Sequence, residues 1–105
     1  MSIRIQFAMC LLSGLMATTV HAQDANRLQT RALAATCANC HGTDGRTTTG
    51  SAIPALAGMP REYMLTQFKA FKDGSRTATV MHQITKGFTE QQLESLAGYF
   101  AAQHR

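Results

Sequence analysis

Apolar positions in this chain form one dense block near the start and, beyond it, stretches in which they recur at intervals of three and four residues. The block runs from Ile5 to Val20 behind a charged start at Arg4 and ends in the small residues Val20 and Ala22. That is the form of a secretory signal peptide, with cleavage expected after Ala22. At about 16 residues, interrupted by Ser13, Gly14, Thr18 and Thr19, it is shorter than the ~20 needed to span a bilayer. Cys10 is preceded by Phe7-Ala8-Met9 rather than by small residues, so a lipid anchor is not expected and Cys10 should leave with the leader. The chain is therefore read as a signal peptide over 1–22 and a single domain over 23–105, placed in the periplasm, with no membrane span after cleavage.

The remaining pattern is helical. Ala25 to Thr36 is rich in Ala, Leu, Gln and Arg, with Leu28, Ala32 and Ala35 expected on the buried face. Arg61 to Lys72 puts Met64, Phe68 and Phe71 on one stripe and ends at Asp73-Gly74. Ser75 to Gly87 is mixed, with one or two helical turns expected across Ala78 to Ile84. Thr89 and Gln92 then form a capping box, Phe88 and Leu93 occupy the positions of a hydrophobic staple, and Leu93, Leu96, Ala97 and Phe100 continue an apolar stripe. Gly98 within this helix costs about 1 kcal/mol against Ala, and close contact with the Ala-rich first helix is the expected compensation. No alternating strand pattern is visible. The fold class is all-α, three to five short helices, and a domain of this size buries only about 60% of its unfolded surface, so it needs a staple.

Cys37-Ala38-Asn39-Cys40-His41 supplies that staple. Two thiols at this spacing followed by histidine are the signature for covalent attachment of a c-type haem, the sulfurs meeting the two vinyl groups of one porphyrin and the histidine ligating iron. Cys37 and Cys40 are the expected thioether anchors and His41 the proximal ligand. With one such motif in the sequence, one haem is expected. A zinc site needs a second ligand pair that is missing from the mature sequence. A thioredoxin-like redox pair should sit beside a βαβ pattern, which is not visible. Export agrees with the haem reading, because attachment takes place outside the cytoplasmic membrane.

The segment from His41 through Ser51 is turn-rich and is expected to wrap the haem edge. In the following Pro54-Ala55-Leu56-Ala57-Gly58, the Pro54 carbonyl is a candidate acceptor for the ring N–H of His41, which would fix its tautomer; a plain turn proline is the alternative. Candidates for a second axial ligand are Met59, Met64, Met81, His82 and His104. Met64 and Met59 read as packing residues and His104 as a solvent-facing polar residue. Met81, 40 residues beyond His41 and past the Gly74-Ser75 break, is the expected ligand, with His82 its adjacent rival.

Formal net charge is +4 for the whole chain. Removal of Arg4 with the leader leaves nine Lys and Arg against six Asp and Glu, or +3. Mild basicity with no basic run makes nucleic acid a poor explanation for an exported domain and favours an acidic protein patch as the partner. Lys69, Lys72, Arg76 and Lys86 are candidates to ring it.

The order Cys-x-x-Cys-His, Pro-x-Leu-Ala-Gly loop, then methionine before the last helix resembles a class I cytochrome c over essentially all of the mature chain. More narrowly, His41-Gly42-Thr43-Asp44-Gly45, Phe71-Lys72-Asp73-Gly74 and Thr79 through Phe88 are similar to the haem subunit of flavocytochrome c sulfide dehydrogenase, a similarity that continues through Leu96-Ala97-Gly98-Tyr99-Phe100. The resemblance implies a small cytochrome c fold around one covalent haem c, held by Cys37, Cys40, His41 and Met81. It implies electron transfer rather than catalysis by side chains, with a flavoprotein sulfide dehydrogenase subunit as donor and a soluble acceptor cytochrome. Many such subunits carry two haems, whereas this chain has one site. A free diffusible shuttle is the alternative within that class; a haem enzyme or gas sensor with a labile sixth ligand is the alternative outside it.

Overall fold

A computed structural model describes residues 21–105 of the chain; the expected signal peptide lies, except for its last two residues, outside the described residues. The first helix, α1, is described over 21–35 and passes through a turn into α2, Ala38–His41. A 3-10 turn at Thr43–Gly45 follows, and then α3 (Arg61–Asp73), α4 (Met81–Lys86) and α5 (Glu90–Ala101). No strand occurs among the described residues, so the all-α expectation holds.

Local chemistry sets the ends of these helices. Pro60 caps α3 with its fixed φ, and its carbonyl accepts from the Met64 N–H at 3.0 Å. Gly74 closes α3 at φ 84°, a left-handed turn that glycine adopts without steric cost. At the start of α5 both capping-box bonds are present: Gln92 N–H donates to Thr89 Oγ1 at 3.2 Å, and Thr89 N–H donates to Gln92 Oε1 at 2.9 Å. Thr85 is buried inside α4 with its hydroxyl donating to the Met81 carbonyl at 2.9 Å, so its polar atom is satisfied.

Packing runs between α3 and α5, with α4 laid against α3. Met64 and Phe68 of α3 meet Leu93, Leu96, Ala97 and Phe100 of α5, and Leu56 and Ala34 complete the cluster. Lys72 bridges the two helices from the side, donating to the Phe88 carbonyl at 2.9 Å and to Glu90 Oε1 at 2.6 Å.

Two expectations about faces are corrected. Leu28, Ala32 and Ala35 are exposed, Leu28 to 69%; the inward stripe of α1 is Leu33, Ala34 and then Cys37. In an alanine-rich helix every face carries small apolar residues, so spacing alone does not select one. Gly98 is not compensated by close helix contact either, since a Cβ built there meets nothing within 4 Å.

Candidate functional site

Cys37, Cys40 and His41 open onto a cavity of about 380 Å³ whose walls are predominantly apolar. That volume lies within the range of cofactor pockets. Phe68 and Phe71 of α3, Leu93 and Phe100 of α5, and Val80, Met81 and Ile84 around α4 form the rest of the wall. Sequence-distant parts thus meet at one place: the motif at one end of the chain and the segment before the last helix at the other.

His41 is buried, and its Nδ1 lies 2.7 Å from the Pro54 carbonyl oxygen. With Nδ1 donating to that carbonyl, Nε2 is left with a lone pair for a metal. The loop reaches this position through Gly45, whose carbonyl accepts from the N–H groups of both Leu56 (2.8 Å) and Ala57 (3.1 Å). Gly45 has φ 77°, and a Cβ on it would stand 2.8 Å from Leu56 Cβ and 2.9 Å from the Phe100 ring. Only glycine allows the His41 loop and the Pro54 loop to approach so closely. Gly58 N–H then donates to the Phe100 carbonyl at 2.8 Å, fastening the same loop to α5.

Met81 and His82, the two rivals for the second ligand position, separate cleanly. Met81 lines the cavity and His82 does not. His82 is half-buried with its Nδ1 enclosed and without a hydrogen-bond partner. Met59 and Met64 also line the cavity, Met64 as a fully buried member of the core. The exposed His104 lends only its carbonyl, to Arg46 Nε at 2.9 Å.

Burial pushes the Cys37 thiol up, reinforced by nearby Cys40 and opposed by the Thr36 hydroxyl. A thiol held protonated is a poor exchanger of disulfides, so the environment of Cys37 argues against the thioredoxin-like alternative. The donor set of two thiols, an oriented imidazole and a thioether around an apolar cavity suits an iron porphyrin: Cys37 and Cys40 would tether it and His41 and Met81 would ligate its iron.

Several contacts had no clear signal in the sequence. Tyr99 donates to Asp44 Oδ1 at 2.5 Å, joining α5 to the turn after the motif across 55 positions. Arg46 adds a 3.3 Å ion pair to the other Asp44 oxygen. The Tyr99 hydroxyl, with Arg46 and Arg31 assisting, holds the Asp44 carboxyl below the usual carboxylate range, and Asp44 in turn raises the Tyr99 phenol. Among the four cations assigned to a docking rim, Lys72 is paired with Glu90, and Arg76 lies over the Phe71 ring at 4.6 Å and donates to Gln67. Lys69 and Lys86 are exposed.

Comparison with known proteins agrees with this geometry. The family model for cytochrome c matches residues 28–102. The cytochrome subunit of sulfide dehydrogenase from Chlorobaculum tepidum is 46% identical over 68 residues, which is 65% of this chain and 60% of that protein. Cytochrome c4 of Pseudomonas aeruginosa is 40% identical over 73 residues, 70% of this chain and 36% of that protein. A solved cytochrome c4 structure from Acidithiobacillus ferrooxidans superposes with a TM-score of 0.58 at 36% identity, covering 63% of this chain and 38% of that one. The chain thus spans about 60% and about a third of the two relatives' lengths. With its cysteine pair and histidine opening an apolar cavity, and that match running from the first helix to the last, the chain belongs to the cytochrome c family.

Proposed function

We propose that the mature chain is a periplasmic cytochrome that holds one haem c and passes single electrons between protein partners, its donor being a flavin-bearing sulfide dehydrogenase subunit. The observation that carries the reading is the convergence of Cys37, Cys40, His41 and Met81 on one apolar cavity. Haem c, when bound, supplies an iron couple that exchanges one electron. Cys37 and Cys40 hold it in place, and the Pro54 carbonyl strengthens His41 as a ligand by fixing its tautomer. The Met81 thioether raises the potential relative to a second histidine. The apolar walls would limit the access of water to a bound iron and so reduce reorganisation on electron transfer.

The sulfide dehydrogenase partner is supported by the 46% identity to the Chlorobaculum tepidum cytochrome subunit. A second reading, a free shuttle passing electrons to a soluble acceptor cytochrome, is supported by the 40% identity to a cytochrome c4 and by the exposed Lys69 and Lys86, since transient redox encounters use small charged surfaces. The leader over 1–22 supports export, and no described helix is long and apolar enough to cross a membrane. Purification from the native periplasm tests the partner: co-purifying flavin supports the subunit reading, and its absence favours the shuttle. Carbon monoxide tests the class. The reduced protein should resist it at neutral pH; ready uptake would point to a labile sixth ligand and an enzyme or sensor instead.

A further inference from the structure

Among the described residues, Arg76 is the only Lys or Arg lining the cavity in which Cys37, Cys40, His41 and Met81 meet. Its position is built rather than incidental. The guanidinium lies 4.6 Å from the Phe71 ring centroid, a cation–π contact. Its Nη1 donates to Gln67 of α3, and its backbone N–H donates to the Ala70 carbonyl at 2.9 Å. One of five guanidinium N–H donors is thus used on the Gln67 side chain, which leaves a planar fork for a further acceptor. The lysine next to Phe71 is committed elsewhere, because Lys72 holds Glu90 and the Phe88 carbonyl.

An iron porphyrin brings two propionate carboxylates to a cavity that is otherwise apolar, and a carboxylate in such surroundings requires a paired charge. The geometry points to Arg76 as the residue that receives a haem propionate, with Phe71 and Gln67 as positioning residues for its guanidinium. This rests on the haem reading above. It removes Arg76 from the partner-docking rim and gives it a cofactor-binding role. A charge-assisted Arg–carboxylate pair keeps the propionate ionised and its negative charge compensated, so the reduction potential is shielded from propionate titration.

The test is a spectroelectrochemical titration of the haem-loaded wild type, Arg76→Gln and Arg76→Lys from about pH 5 to 9, a window above the ordinary carboxylate range. In Arg76→Gln the midpoint potential is expected to fall, because an uncompensated carboxylate favours ferric iron. A new pH-dependent step is also expected, the potential falling as the pH rises through the released propionate's pKa. Arg76→Lys restores part of both changes. A purely structural role would alter stability without creating that step, so an Arg76→Gln profile parallel to the wild type overturns the proposal. If Arg76→Gln does not assemble, a crystal structure of the haem-loaded wild type decides. A propionate oxygen about 2.7–2.9 Å from the guanidinium supports the assignment, and a guanidinium facing solvent overturns it. A wild type that yields no pyridine haemochrome overturns the haem reading itself; one that does, with unchanged variants, sinks only the role of Arg76.

Discussion

Gly45 is buried with φ 77°; its N–H donates to the Gly42 carbonyl in the turn after His41, and its carbonyl holds the Pro54 loop by accepting from the Leu56 and Ala57 N–H groups. Gly45→Ala places a methyl group within 3 Å of Leu56 and Phe100 in a conformation that alanine resists, costing on the order of 1–3 kcal/mol from the backbone alone. A lowered thermal midpoint together with a weakened ferric far-red thioether band is the expected result; a wild-type melt would contradict the role given to this residue. Met81→Ala should abolish that far-red band while leaving the haem attached. If the band persists, another residue is the sulfur ligand.

The Asp44–Tyr99 bond sets a pH window for stability. The Asp44 carboxyl is held below its ordinary value of 3.8 chiefly by the Tyr99 hydroxyl, so its contribution is complete above that value and is lost as the pH falls through the lower native pKa. Tyr99 is raised above 10.0 chiefly by donating its hydroxyl to Asp44, so its contribution is complete below 10.0 and is lost as the pH climbs through the higher native pKa. Thermal midpoints of Tyr99→Phe should therefore lie below the wild type across the neutral plateau and converge with it at both extremes. Parallel curves over the whole range would show that the bond contributes nothing linked to protons.

Among the secondary-structure elements, the local signals differ in strength. Helices α3 and α5 are readable because each signal has a local cause: Gly74 stops the one, and the Thr89–Gln92 box starts the other. Thr89→Ala should cost about 1 kcal/mol by chemical denaturation. The inward face of α1 is not readable, since alanine on every side leaves the periodicity without contrast, and the structure selects Leu33, Ala34 and Cys37. Gly98 is a position where the rule for isolated peptides applies without offset: open space at its Cβ predicts that Gly98→Ala stabilises the protein by about 1 kcal/mol. A loss of stability would mean that the packing there is tighter than the structure has it. The cavity is legible only in part. Cys37, Cys40, His41, Pro54 and Met81 are found through motif and order, whereas the place of Arg76 in its wall, like the Asp44–Tyr99 bond outside it, depends on contacts that no spacing encodes.

At the scale of the whole molecule, the apolar core is thin. Of nine buried apolar side chains among the described residues, three are alanines, and the larger ones line or adjoin the cavity. Burial of a side chain such as Leu or Phe contributes about 1.5–3 kcal/mol, so six of them offset only a modest part of the ordering entropy of a small domain. A bound haem would accordingly be the largest single piece of the core. One tethered iron porphyrin per chain is the claim on which function and stability both depend. Intact mass under denaturing conditions, on protein exported by cells that mature c-type cytochromes, tests it most directly. The expected species is a chain beginning at Gln23 and carrying the mass of one haem; a chain of bare polypeptide mass, or one carrying two haems, would contradict it.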